Sequence, residues 1–269
     1  MSTGKDSDRP FEGDGPLSVR EMLPYLTGGV DADRIFLHAT IDSTSTAARE
    51  MALAGAGHGT VILAEHQTAG RGRFGRSFHS PGGRGIYMSL ILDPDRLGLS
   101  LPTLVTALAG VAVCEAVQAV CAKEPGIKWV NDVFLDGRKI CGILTEAAGE
   151  RIILGLGINF STGEADFPEE LRETAGAIFP DGRPPVSRNR LAGEVISRIL
   201  SPGDPHSRGE LLQKYRQRLI VLGKRVLITG TGRAYEATAL DIDDIGRLIV
   251  RKETGEVIAL SSGEVSIRC

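Results

Sequence analysis

Apolar and polar positions along this chain switch between two periods, and the switches mark out its elements. Ile35–Ile41, Val61–Glu65 and Gly85–Leu92 are short apolar runs that predict strands. Asp42-Ser43-Thr44-Ser45-Thr46 opens an Ala-rich stretch reaching about Ala54, which places the hydroxyl cluster at a helix N-terminus. Further upstream, Ser18 with Glu21 three residues on predicts a short helix with a capping box. Pro102–Ala122 is apolar on nearly every face and predicts one long helix covered on several sides. Pro102, Glu115 and Gln118 interrupt its apolar stretch, so it reads as a buried helix and not as a membrane span.

The region densest in strands runs from Ile127 to Asn159. Val133–Leu135, Asp136-Gly137 and Ile140–Glu146 make a hairpin pattern, because Asp-Gly suits a tight two-residue turn; Ile152–Asn159 is expected to pair next. Helices are expected near Glu169–Glu173, Arg188–Leu200 and Gly209–Arg218. From Lys224 onwards come five short alternating runs: Arg225–Ile228, Ala234–Asp241, Leu248–Arg251, Val257–Leu260 and Val265–Ile267. Punctuated by Gly230, Gly232, Gly246, Gly255 and Gly263, they have the spacing of a small β-barrel. The chain therefore divides into residues 1–30, a tail with a short helix; 31–219, the main unit; and 220–269, the barrel. Residues 1–16 are polar and Gly/Asp-rich, which predicts a disordered tail.

Composition narrows the classes. The chain has 269 residues, 42% of them hydrophobic, and a net charge of −3 that argues against general nucleic-acid binding. Cys114, Cys121, Cys141 and Cys269 include no CxxC pair, so metal ligation and disulfides are not expected. The first sixteen residues lack the apolar core of a signal peptide, which predicts a cytoplasmic protein without membrane association.

Against that acidic background stands Gln67-Thr-Ala-Gly70-Arg71-Gly72-Arg73-Phe-Gly-Arg76-Ser-Phe78, directly after a buried strand. Glycine lets backbone N–H groups approach an anion, and arginine offers a planar fork of donors to carboxylate or phosphate. A solvated basic loop and an RNA-binding Arg-Gly segment are the plainer readings. The net charge favours a small anionic ligand.

Four segments form a set: Ser43-Thr44-Ser45; Gln67 with Gly70–Arg76; Lys128-Trp129-Val130-Asn131-Asp132 leading into Arg138-Lys139-Ile-Cys-Gly142-Ile-Leu144; and Gly155-Leu-Gly157-Ile-Asn159-Phe160. In this order and spacing the chain resembles the biotin–protein ligases from about residue 35 to its C-terminus, closing on Gly263-Glu-Val-Ser266. The resemblance implies an α+β fold: a mixed sheet with flanking helices, like the class II aminoacyl-tRNA synthetase and lipoate ligase core, followed by an SH3-like barrel. It implies ATP and biotin as substrates with Mg2+, a biotinyl-5′-AMP intermediate, and a lysine of a biotin carboxyl carrier protein as acceptor. By the same resemblance, Arg71 and Arg73 would hold the biotin carboxylate and α-phosphate, Arg76 the outer phosphates, and Lys139 the charge developing between them. Ser43, Thr44, Ser45 and Gln67 would meet the ureido ring; Gly70, Gly72, Gly142 and Gly155 would admit biotin closely; Asn131, Asn159 and Phe78 would meet the nucleotide. Asp132 would position Mg2+ or accept the incoming lysine's proton. Phe78 and Val130 depart from the tryptophan and proline common there. Lipoate or octanoate transfer on the same scaffold, and a non-enzymatic nucleic-acid binder, are the competing readings. Thirty-four residues precede the first catalytic strand, too few for a winged helix, so DNA binding is not expected; a monomer and a homodimer are both compatible.

Overall fold

The computed structural model describes residues 15–200, 208–230 and 234–267. Residues 1–14 of the expected tail, the turn glycine Gly232 and Cys269 lie outside the described residues.

Helix α1 (Val19–Met22) starts as its sequence requires, with the Ser18 hydroxyl accepting the Glu21 N–H. The reciprocal half of the capping box goes elsewhere: Glu21 accepts from Asn189 Nδ2, while Ser18 N–H donates to Asn189 Oδ1. Next come β1 (Ile35–Ile41), α2 (Thr44–Leu53), β2 (Thr60–Gln67), β3 (Gly85–Leu92), α3 (Pro94–Leu97) and α4 (Pro102–Cys121). They are followed by β4 (Gly126–Lys128), β5 (Asp132–Leu135), β6 (Arg138–Ala148), β7 (Arg151–Asn159), α5 (Arg188–Leu200) and α6 (Arg208–Arg218). The helix expected near Glu169–Glu173 is instead a single 3-10 turn, Glu169–Leu171.

Seven strands form one mixed sheet in the order β1-β2-β3-β7-β6-β5-β4, parallel only between β1 and β2, where α2 makes the crossover. Alternation assigns the two faces. Ile62, Ile91 and Ile153 pack beneath α2 with Ala48, while Val61, Leu63, Met88, Leu90 and Leu154 face the larger core with α4 and α5. Helix α4 is apolar and long enough to cross a membrane by length and composition alone, yet 83% of its apolar window is buried inside the protein.

The Asp136-Gly137 turn is as expected: both residues have positive φ, 51° and 76°, and Leu135 faces Arg138 across it. The C-terminal strands β8 (Arg225–Thr229), β9 (Tyr235–Ile242), β10 (Leu248–Lys252), β11 (Val257–Leu260) and β12 (Glu264–Ile267) pair antiparallel in the order β11-β10-β9-β8-β12. This is the all-antiparallel sheet of an SH3-like unit, but among the described residues no ladder joins β11 to β12, so the expected barrel stays open.

The segment between β2 and β3 carries the arginines, and its two stems are tied together. Arg188 of α5, 1% exposed, donates to Glu65 near the end of β2, to the Gly85 carbonyl at the start of β3, and to the Gly15 carbonyl. A buried guanidinium satisfied this fully holds the stems of residues 68–84 in register.

Candidate active site

The sheet face under α2 contains a trough made by missing side chains. Directly paired residues share a face, so Ser89, Gly155 and Leu144 form one row, and Tyr87, Gly157, Gly142 and Asp132 the next. Glycine at the centre of each row leaves space that its neighbours occupy from above. A Cβ on Gly155 would lie 2.6 Å from Ser45 Oγ, and one on Gly157 would lie 2.4 Å from the Phe78 ring. The trough holds an inner pocket of about 50 Å³, lined by Thr44, Ser45, Gln67, Arg71, Gly142, Gly155 and neighbours. It adjoins an outer cleft of about 390 Å³. Gly72, Arg73, Phe78, Asn131 and Lys139 line both spaces.

The inner end is a chain of hydroxyl and amide groups. Thr44 N–H donates to Gln67 Oε1 at 2.9 Å, and the Thr44 hydroxyl meets the same oxygen at 3.1 Å. Gln67 Nε2 donates to Ser80 Oγ at 2.9 Å, which donates on to the Phe78 carbonyl. Beneath them Ser89 Oγ lies 2.9 Å from Thr44 Oγ1 and 3.0 Å from Ser45 Oγ. Ser43 takes a supporting place, buried, its Oγ accepting Thr46 N–H as the cap of α2. Gly70 also supports: its carbonyl accepts Phe78 N–H, closing the loop's base.

The loop cations converge from outside. Arg73 Nη1 donates to Asn131 Oδ1 at 2.7 Å, while Arg71 pairs with Glu146 at 2.8 Å. Arg76 makes a two-pronged pair with Glu264 of β12, at 2.7 and 3.0 Å. Lys139 Nζ lies 2.7 Å from Asp132 Oδ1, which also accepts from Asn131 Nδ2 at 3.0 Å. Burial lowers the pKa of Arg73, which stays cationic. It also lowers that of Lys128, at the floor of the outer cleft, whose ammonium lies 5.2 Å from the centre of the Phe134 ring. Five cations, Arg71, Arg73, Arg76, Lys128 and Lys139, thus line the two spaces, a field suited to holding two anionic groups together.

The outer cleft contains an unmet need. Asn159 is 4% exposed; its Nδ2 donates to the Gly176 carbonyl at 2.9 Å, which fixes the amide orientation, yet its Oδ1 is buried without a partner. An orphan acceptor costs stability unless a ligand donor reaches it.

The structure therefore brings Thr44, Ser45, Gln67, Arg71, Gly72, Arg73, Phe78, Asn131, Lys139, Gly142 and Gly155 around the inner pocket, with Arg76, Asp132 and Asn159 on the outer cleft. Sequence reasoning did not single out Ser89 or Glu146, and it gave no role to Leu144 or Glu264, although both fall within the quoted motifs. The signal for Ser89 was present, because it interrupts an otherwise fully buried apolar strand. Among the described residues no three His, Cys, Asp or Glu side chains are grouped to hold a metal. Cys114, Cys121 and Cys141 are free and buried, and burial pushes the first two thiols up to about 12, which disqualifies them as nucleophiles.

Comparison with known proteins now adds to the geometry. The profile of the Biotin/lipoate A/B protein ligase family matches residues 37–161, and that of the Biotin protein ligase C terminal domain matches residues 221–268. The biotin–[acetyl-CoA-carboxylase] ligase of Mycobacterium tuberculosis is 32% identical, over 98% of this chain and 98% of that protein. The bifunctional ligase/repressor BirA of Bacillus subtilis is 34% identical, over 90% of this chain and 76% of its own length. The structure of an Aquifex aeolicus biotin protein ligase in complex with biotin and ATP superposes with a TM-score of 0.76 at 27% identity, over 87% of this chain and 98% of that one.

Proposed function

The chain belongs to the biotin/lipoate A/B protein ligase family, and from that membership and the geometry above we propose how its residues divide the work. It is a ligase that uses ATP to attach biotin to a protein through biotinyl-5′-AMP. In the first step a biotin carboxylate oxygen attacks the α-phosphorus, forming the acyl–phosphate anhydride while the bond to pyrophosphate breaks. In the second a lysine amine of a carboxylase's biotin carrier attacks the acyl carbon; the amide forms, a proton is lost, and AMP leaves with the anhydride electrons.

In our assignment the bicyclic head enters the inner pocket over Gly155 and Gly142, against Thr44, Ser45 and Gln67. The carboxylate then lies at the junction, where Arg71, Arg73 and Lys139 offset its repulsion with the α-phosphate. Arg76 and Lys128 face the outer phosphates, and adenine lies in the outer cleft beside Phe78, its amino group directed to the orphan Asn159 Oδ1. That orphan acceptor carries the nucleotide assignment. Ser43 and Gly70 support the site in this reading without being required to touch biotin.

We assign Mg2+ to the nucleotide. Two carboxylates line the outer cleft, Asp132 held by Lys139 and Glu264 held by Arg76, a donor set suited to an ion carried on phosphates and not to a protein cage. There it would neutralise phosphate charge. Residues 31–219 form the catalytic unit in this proposal and 220–269 the appended one, acting in the cytoplasm.

Titration calorimetry with biotin and with lipoate, each with and without ATP, tests the assignment. Biotin is expected to bind alone and to bind with ATP in a coupled way. Binding of lipoate in preference to biotin would overturn the substrate.

A further inference from the structure

The inner pocket's polar floor contains more atoms than protons to join them, and counting those protons fixes the direction of every bond. Thr44 N–H can only donate, so the Gln67 atom facing it is the oxygen. That oxygen can only accept, so the Thr44 hydroxyl spends its single proton on Gln67 Oε1. Thr44 Oγ1 must then accept from Ser89, and Ser89, its own proton spent, must accept from Ser45. The opposite order would set Thr44 Oγ1 and Gln67 Oε1 3.1 Å apart with no hydrogen between them. Ser89 is 0% exposed and does not line the pocket, so it acts only through the two residues above it. Gly155 leaves the room in which Ser45 Oγ sits.

We propose that Ser89 is a positioning residue for substrate choice: it consumes the Ser45 proton, so that Ser45 and Thr44 present lone pairs to the pocket and select a head group bearing N–H donors. A cyclic urea has such donors; the dithiolane of lipoate has none. The inference rests on the biotin reading and deepens it, giving a physical reason why a fold shared with lipoate ligases takes a urea here.

The test compares biotin with its cyclic carbamate analogue, in which one ring N–H becomes an oxygen of nearly the same size, in wild type and Ser89→Ala, following pyrophosphate release. Wild type is expected to favour the urea in kcat/KM by about tenfold or more, since an acceptor would face lone pairs. In Ser89→Ala the Ser45 proton is free to turn to the ring oxygen. KM for biotin should rise roughly 5- to 10-fold, more than kcat falls, and the urea-to-carbamate ratio should collapse towards one. A purely structural serine would lower Tm and leave the ratio unchanged, and that result overturns the proposal. Should Ser89→Ala fail to fold, the wild-type ratio decides, because equal use of the two heads also overturns it. Absence of biotin turnover by wild type would instead sink the biotin reading itself.

Discussion

At the scale of single residues, the site is a set of cations each held by a partner already in the protein. Lys139 shows what this means. Its ammonium touches Asp132 at the junction of the two spaces, so it is oriented before any phosphate arrives. Lys139→Ala is expected to slow biotin-dependent pyrophosphate release by roughly 10²-fold, as for loss of one preorganised charge, while leaving the fold intact because the side chain is one-third exposed. Near-normal release would remove Lys139 from the mechanism. Lys128 gives a prediction in pH. Its pKa is depressed mainly by burial, so its charge penalises the folded state most at neutral pH, and the penalty fades as pH rises towards the ordinary value of 10.5. Lys128→Met, which keeps an apolar stem against Phe134, should therefore gain stability over wild type in urea melts at pH 7 and lose that gain near pH 10. A gain that grew with pH would contradict the sign. Residue identity made the arginines, Lys139 and the Asp-Gly turn legible in the sequence. It did not reveal that Glu146 and Glu264 hold the loop, because those contacts join positions 75 and 188 residues apart.

At the scale of elements, hydrophobic period alone marked nearly every strand, and β1, β3 and α5 begin and end where the pattern does. Period does not encode neighbours, however. β7 lies between β3 and β6, so the glycines of the last motif meet Ser45 and Phe78, which come from segments far earlier in the chain. Gly155 and Gly157 sit in an unbroken ladder with β3, so neither marks a bulge against that strand. This yields a prediction for the trough. Gly157→Ala sets a methyl against the Phe78 ring and should force that ring into the outer cleft, costing about 1–3 kcal/mol and raising KM for ATP. Phe78→Ala relieves the clash, so the double variant should be no less stable than Phe78→Ala alone. Additive losses, measured in paired denaturation curves, would place the Phe78 ring elsewhere.

At the scale of the whole molecule, the two sheets share one core. Trp129 Nε1 donates to the Gly246 carbonyl at 3.0 Å, and Ile220 N–H to the Ile127 carbonyl. Val226, Ile228, Leu248 and Val250 belong to the same buried cluster as the catalytic strands. A chain ended near Ile220 would expose Trp129, so deletion cannot separate a role in carrier docking from simple loss of stability. A point change can. Among the described residues Arg76 joins the glycine-rich loop to β12 through Glu264, a partly exposed pair whose loss costs well under the stability of a domain. Glu264→Gln should therefore leave Tm nearly unchanged yet release the loop. Trypsin should then cut near Arg71–Arg76 roughly 2- to 5-fold faster in the free variant, as the modest energy of an exposed pair allows. Biotin, by drawing Arg71 and Arg73 onto its carboxylate, should restore protection to both proteins. Equal cutting of wild type and Glu264→Gln without ligand would mean that the second sheet does not restrain the loop, and that the loop's order comes from the Arg188 stems alone.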